Sequence, residues 1–409
     1  MATALTVLGA EQNAVTWRKP RWIMSQKRDL FWFIGSVAFG YAILALYGAA
    51  HVPLVWIIPI WAIFFDETHN FATISRTYFD KEELERRRRL LWGSVAFFIA
   101  AGFAIILAGL GDWLEIVTAV WAYHHLVKQH FGFMVMYKKK NNDLLATDNW
   151  LDRAFFYIAL WYPFLTLPFH DAEARQLVFS AFETNENNLP IALTTTFTVF
   201  QTAFFAFWVA AFVVYFGRQI YKIYAGLAIN TPKLLLFAAV LPFHLIALRY
   251  VEVAEGINRL LTATGSEFSL QAAPMGVIGI VAALTIYHNV QYHGIVWFYN
   301  QNRYQGEEAR SKYGLSARIN TRLHYYAAFA LLYAFFLDVV PRFLLPYFTA
   351  RQSPGWYNTT TNDQLVAYVF AFPGLLHYWL DSRIWRVRRD QNVGQALNLN
   401  QQSTTQKTA

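Results

Sequence analysis

The stretches LLWGSVAFFIAAGFAIILAGL (Leu90 to Leu110) and TTTFTVFQTAFFAFWVAAFVVYF (Thr194 to Phe216) constrain this chain most, because neither contains a charged side chain. A helix of about 20 residues covers the hydrocarbon core of a bilayer, and buried strands are far shorter. Reading all such runs in order predicts helices near 31–50, 53–77, 90–110, 113–137, 151–169, 191–217, 234–251, 275–300, 323–345 and 364–386. The predicted class is all-α, a polytopic membrane helical bundle of about ten transmembrane helices. With 56% hydrophobic and only 15% charged residues, a water-soluble domain is a poor alternative.

Charge gives an independent reading of topology, since short cytoplasmic loops collect Lys and Arg. Every second connection is basic. The cations stand before the first helix (Arg18 to Arg28), after the second (Arg76 to Arg89), after the fourth (Lys138 to Arg153), after the sixth (Arg218, Lys222, Lys233), after the eighth (Arg303 to Arg322) and after the tenth (Arg383 to Arg389). The outer connection from His170 to Pro190 leans acidic. Both termini are therefore expected in the cytoplasm, with the chain an integral, multi-pass protein of the inner or plasma membrane if it is bacterial. The net charge of +8 follows from this placement against anionic lipid and calls for no nucleic acid.

Residues 1–30 read as a cytoplasmic lead-in without a cleavable signal, 31–388 as a single transmembrane domain, and 389–409 as a disordered cytoplasmic tail rich in Gln, Asn and Thr. The absence of cysteine excludes disulfides, thiolate ligands and thiol nucleophiles. No internal repeat is evident, which weighs against an inverted-repeat transporter.

Eleven histidines are present. His51, His170 and His324 fall at the interfaces, and His244 lies alone in its helix, where a structural hydrogen bond is the expected role. The remaining seven occupy the second, fourth, eighth and tenth helices, all predicted to run inward: His69, His124, His125, His130, His288, His293 and His377. Counting back from the first cytoplasmic cation puts His69, His130, His293 and His377 roughly 9–15 Å deep. His124, His125 and His288 then form a second tier at roughly 20 Å.

Polar groups inside a bilayer cost a few kcal/mol each and need partners, and a divalent transition metal satisfies many imidazoles at once. These seven histidines are the candidate ligands. Asp66, Asp381 and Asn289 are candidate carboxylate ligands or orienting groups behind them. Iron suits such a set, as one or two non-haem ions; zinc, copper or manganese suits it too. His288 and His293 are five residues apart, about 140° round a helix, so they cannot share a face without a π-bulge or kink.

Four signatures, THN at His69, HFG at His130, the pair His288 and His293, and LLHYWLD at His377 with Asp381, resemble in order those of the Brp/Blh family of membrane β-carotene 15,15'-dioxygenases. H-F-G matches literally. The first segment lacks the family's Pro and Gly, the His pair is one residue longer, and the last segment lacks the adjacent Pro. The histidine boxes of membrane fatty-acid desaturases are absent. The resemblance implies a non-haem iron centre using O2 on a lipophilic isoprenoid.

The expected function is a His-ligated membrane oxygenase acting on a lipid or isoprenoid/carotenoid, with O2 and a cytoplasmic electron donor as partners. Aromatics such as Trp121, Tyr123, Tyr287, Tyr292, Trp297, Tyr378 and Trp379 are candidates for a substrate tunnel. Three other classes remain open: a transmembrane haem-binding electron carrier, a membrane-bound O-acyltransferase with one essential His, and a proton-coupled transporter.

Overall fold

The structure, a computed structural model, describes residues 19–184, 191–340, 361–386 and 390–399. Among the described residues the chain is helical, without strands beyond an isolated bridge between Asp80 and Gly314. Helices lie over each predicted run: α1 (Gln26–Gly48), α2 (54–75), α3 (Arg88–Leu107), α4 (Gly111–Lys140), α5 (Ala146–Leu165), α6 (Ile191–Tyr224), α7 (Thr231–Leu248), α8 (Gly276–Arg303), α9 (323–339) and α10 (Thr361–Ile384). The stretch 341–345 of the predicted ninth helix lies outside the described residues, as do 1–18 of the lead-in and 400–409 of the tail.

Among the described residues, four segments are long and apolar enough to cross a membrane: Gln26–Gly48, Arg88–Leu107, Thr198–Tyr224 and Thr231–Leu248. That is fewer than the ten predicted crossings. The helices that carry the histidine cluster fall short because those same polar residues interrupt their apolar runs, as in DETHN of α2 and YHNVQYH of α8.

Further helices occupy segments read as loops, including Lys81–Arg86, Ala172–Ala181 and Tyr250–Ala263. Side-chain caps account for two of these starts: Asp80 accepts from the Glu83 backbone N–H and Asp171 from that of Ala174. Part of the tail expected to be disordered is folded too. Asp390 caps a helix at Gln391–Ala396, and Val393, Leu397 and Leu399 are buried in the core. Composition misled there because three well-spaced aliphatic residues suffice to anchor a short, otherwise polar segment.

The central element is α8, which is buried along most of its length from Ile280 to Asn300 and packs against α1, α2, α4 and α7. Helix α10 packs on α3 and also touches α2 and α4. Its approach to α3 depends on Gly102, where an added Cβ would lie 1.9 Å from the Tyr368 ring. The Tyr368 hydroxyl donates to the Phe98 carbonyl across that contact (2.6 Å). Helix α6 leans on α5, and only 6% of its most apolar window is buried.

Two π-helical stretches set the register of the inner helices. In α1, Leu30–Gly35 presents the Phe33 carbonyl to Gln291 Nε2 of α8 (2.7 Å). In α2, Leu54–Trp61 contains Pro59 and passes through a π turn, Ala62–Asp66, into Glu67–Ser75. One extra residue in the turn rotates everything after it by about 100°.

At one end of the bundle, Lys138, Lys222, Lys233 and Arg218 interleave with Asp143, Asp148 and Asp152. Lys233 bonds Asp152 at 2.8 Å, and Lys222 and Arg218 bond Asp148 at 2.9 and 2.8 Å. Lys138 also bonds Asp152. The network fastens α4, α6 and α7 to the loop and first turns of α5. Burial pushes the Asp143 carboxyl up, but Lys233, Lys138 and Lys222 outweigh it and hold the group well below the usual carboxylate range.

Candidate metal centre

His69 of α2, His125 of α4, His288 of α8 and His377 of α10 converge in the interior, all buried. His377 Nε2 lies 3.1 Å from His69 Nε2 and 3.2 Å from His125 Nε2. Donor atoms of His69, His288 and His377 all fall within 4.8 Å of one another, as do those of His125, His377 and Asp381.

The surroundings fix two of these rings. His69 Nδ1 donates to the Asp66 carbonyl (2.5 Å), which leaves its Nε2 with a bare lone pair in the neutral imidazole. Thr73 donates to Asp381 Oδ1 (2.8 Å), so its oxygen accepts from His377 Nδ1 (2.7 Å), and His377 Nε2 is bare as well. This tautomer assignment rests on the hydrogen-bond network. Two acceptor nitrogens facing each other at 3.1 Å repel unless a cation lies between them. A metal bonded to both at about 2.0–2.1 Å would space them by roughly 2.8–3.4 Å, from octahedral to tetrahedral angles. The spacings of 3.1 and 3.2 Å each fall in that range, and His69, His288 and His377 lie close enough together to share one ion, so the residues present fit a His-ligated transition metal.

Asp381 is placed to orient rather than to ligate. Its Oδ1 takes hydrogen bonds from Thr73 and from Tyr292 (2.7 Å) and lies 3.7 Å from His377 Nδ1, the ring nitrogen turned away from the cluster. Asp66 serves His69 through its backbone carbonyl. Its carboxylate is 3.9 Å from His69 Nδ1 and accepts from Asn289 Nδ2 (3.4 Å), so Asn289 too stands behind the histidines.

The other predicted ligands do not join. His124 is exposed beside Trp161, because the neighbouring residue on a helix points about 100° away from His125. His293 turns to Thr68 Oγ1 (3.2 Å) and the Tyr326 hydroxyl (2.9 Å). No π turn intervenes in α8 to bring it onto the face of His288. His130 stacks on Tyr287 at 5.2 Å, with its ring centre 6.3 Å from that of His288, and lies beside the cluster.

The two predicted tiers are therefore not observed: His125, expected deep, meets His377, expected shallow. The depth count took Lys138 as the membrane surface, but α4 runs 30 residues and Lys138 is buried in the ionic network. At about 1.5 Å per residue such a helix spans about 45 Å and overshoots a 30 Å hydrocarbon core.

His244 behaves as expected, bridging the hydroxyls of Tyr123 (3.0 Å) and Tyr287 (2.6 Å). Those two tyrosines and Tyr292 are thus hydrogen-bonded interior residues, whereas Tyr378 stacks on His125 at 4.7 Å. Thr73 was missed by the sequence reading, although it lies four residues after His69 and so on the same helix face. Tyr292 bears the same relation to His288. No protein-family model, curated protein or solved structure matches the chain.

Proposed function

We propose that this chain is a multi-pass membrane oxygenase, with about ten crossings and both termini cytoplasmic, whose buried histidines hold non-haem iron and whose substrate is a lipid or isoprenoid. The observation that carries the metal reading is the 3.1 Å approach of His69 Nε2 to His377 Nε2, both with their protons placed on the opposite nitrogen, with His288 close enough to join them. His69, His288 and His377 are the set whose donor atoms lie close enough together to be ligands of one ion, with His125 beside His377 as a further histidine of the cluster. Bound iron would supply the activation of O2, given coordination positions left open by the protein.

The chain's own contribution is positional. Asp381, Tyr292 and Thr73 hold His377 in one tautomer, and the Asp66 carbonyl does the same for His69. The apolar helices around the cluster exclude water and favour a substrate arriving from lipid. Three of the four segments that resemble the carotene dioxygenases supply a cluster histidine. The fourth, H-F-G at His130, does not; its helix contributes His125, which lies outside that segment.

The haem alternative fits this geometry less well. Axial imidazoles on one haem iron stand on opposite faces of a macrocycle, about 4 Å apart, and the 3.1 Å approach of His69 to His377 leaves no such slot.

The test is elemental analysis and an optical spectrum of the detergent-purified protein, followed by chelation and reloading. Stoichiometric iron without a Soret band, and a melting temperature that falls on chelation and recovers with Fe2+, are expected. Protein free of transition metal and indifferent to added Fe2+, Zn2+ or Mn2+ would refute the reading. Metal binding without oxygen consumption on lipid or isoprenoid substrates would refute the oxygenase assignment alone.

A further inference from the structure

A cleft of about 510 Å³ opens between the start of α3 and the end of α10, away from the histidine cluster, lined by Arg86, Arg87, Trp379, Arg383, Arg386 and Asp390. Four arginines line it against Asp390 and, behind Arg86 and Arg87, Glu83, which leaves an excess of two positive charges. Asp390 Oδ2 accepts from Arg86 and Arg87 at 2.8 Å each, and Glu83 accepts from the same pair at 2.5 and 3.0 Å. This network is internal scaffolding that fixes two of the guanidinium groups. Arg383 is held differently, its guanidinium stacked 4.1 Å over the Trp379 ring.

Two donors on residues that line the cleft stand out. Arg383 Nε and Trp379 Nε1 are both buried and have no acceptor among the described residues. A buried donor without an acceptor costs about 1–3 kcal/mol, so two of them in one positive cleft call for an external, oxygen-rich anion.

We infer that this cleft binds a phosphate group, with the headgroup of an anionic phospholipid as the favoured source. Guanidinium forks match the paired oxygens of phosphate, and the indole N–H adds a neutral donor at fixed direction. The lipid source follows from position. The cleft sits in the basic connection after α2, where topology places a leaflet surface, and α3 continues from it with exposed Trp92 and Phe97 along which an acyl chain can lie. Leu90 gives the cleft an apolar wall at the point where the chain would leave it.

The test uses full-length protein in a neutral detergent, titrated separately with dihexanoyl phosphatidic acid, dihexanoyl phosphatidylcholine and inorganic phosphate, with binding read by thermal shift. Arg383→Gln and Trp379→Phe each remove one unmatched donor while leaving the Glu83 and Asp390 network in place. Arg259→Gln, at an exposed arginine elsewhere, is the control. Phosphatidic acid is expected to bind more tightly than phosphatidylcholine, and each cleft variant to weaken it about tenfold with the control unchanged. Inorganic phosphate binding as tightly as phosphatidic acid, and weakened by the same variants, would support the phosphate site while assigning it a soluble ligand. Equal binding of the two lipids by the wild type, or cleft variants that bind phosphatidic acid as the wild type does, would overturn the inference. Melting temperatures of the ligand-free variants separate lost binding from lost folding.

Discussion

His377 touches more of the centre than any other side chain: its Nε2 meets two histidines and its Nδ1 meets Thr73. His377→Ala should therefore bring metal content close to background in elemental analysis. His293→Ala should leave it near the wild-type level, because His293 is committed to Thr68 and Tyr326. Thr73→Val keeps the volume of the side chain but removes the oxygen that fixes the His377 tautomer. It should weaken metal affinity about 10–100-fold in a chelator competition. Sequence depth alone gathered the four helices whose histidines meet in the structure, but sorted those histidines into tiers that the structure does not show. Depth says nothing of azimuth, and azimuth separates His125 from His124 and His288 from His293.

Among elements, the helix positions were legible because an apolar run of membrane-spanning length has few other solutions. The connections were less so. Ala172–Ala181 and Tyr250–Ala263 are short and half-exposed, and composition does not distinguish them from loops. Close packing between helices was also invisible. Gly102 is one small residue in an apolar run until Tyr368 is seen lying against it. Gly102→Ala should push α10 off α3 and destabilise the fold by about 1–3 kcal/mol, read as a lower melting temperature in detergent. Because α10 carries His377, metal content should fall with it.

For the molecule as a whole, the ionic network at the end of α4 ties the outlying α6 to the bundle through Lys222 and Arg218. Asp143, with its carboxyl held below the usual range, contributes stability that is fully present above about pH 4. That stability is lost as pH falls from there through the depressed folded-state value. A pH series of melting temperatures should therefore drop steeply in acid. Asp143→Asn should be less stable at pH 7 and show a shallower acid slope, since it no longer takes up that proton on unfolding.

The π turn Ala62–Asp66 is, in bookkeeping of chain length, one inserted residue. Insertions of this kind are reversible by a single codon. Deleting Phe64, whose side chain is 53% exposed, would let α2 close into a regular helix without removing any core side chain. Every residue beyond it would swing by about 100°, carrying His69 and Thr73 off the cluster together. A chain that still folds and inserts but no longer retains metal is the expected result.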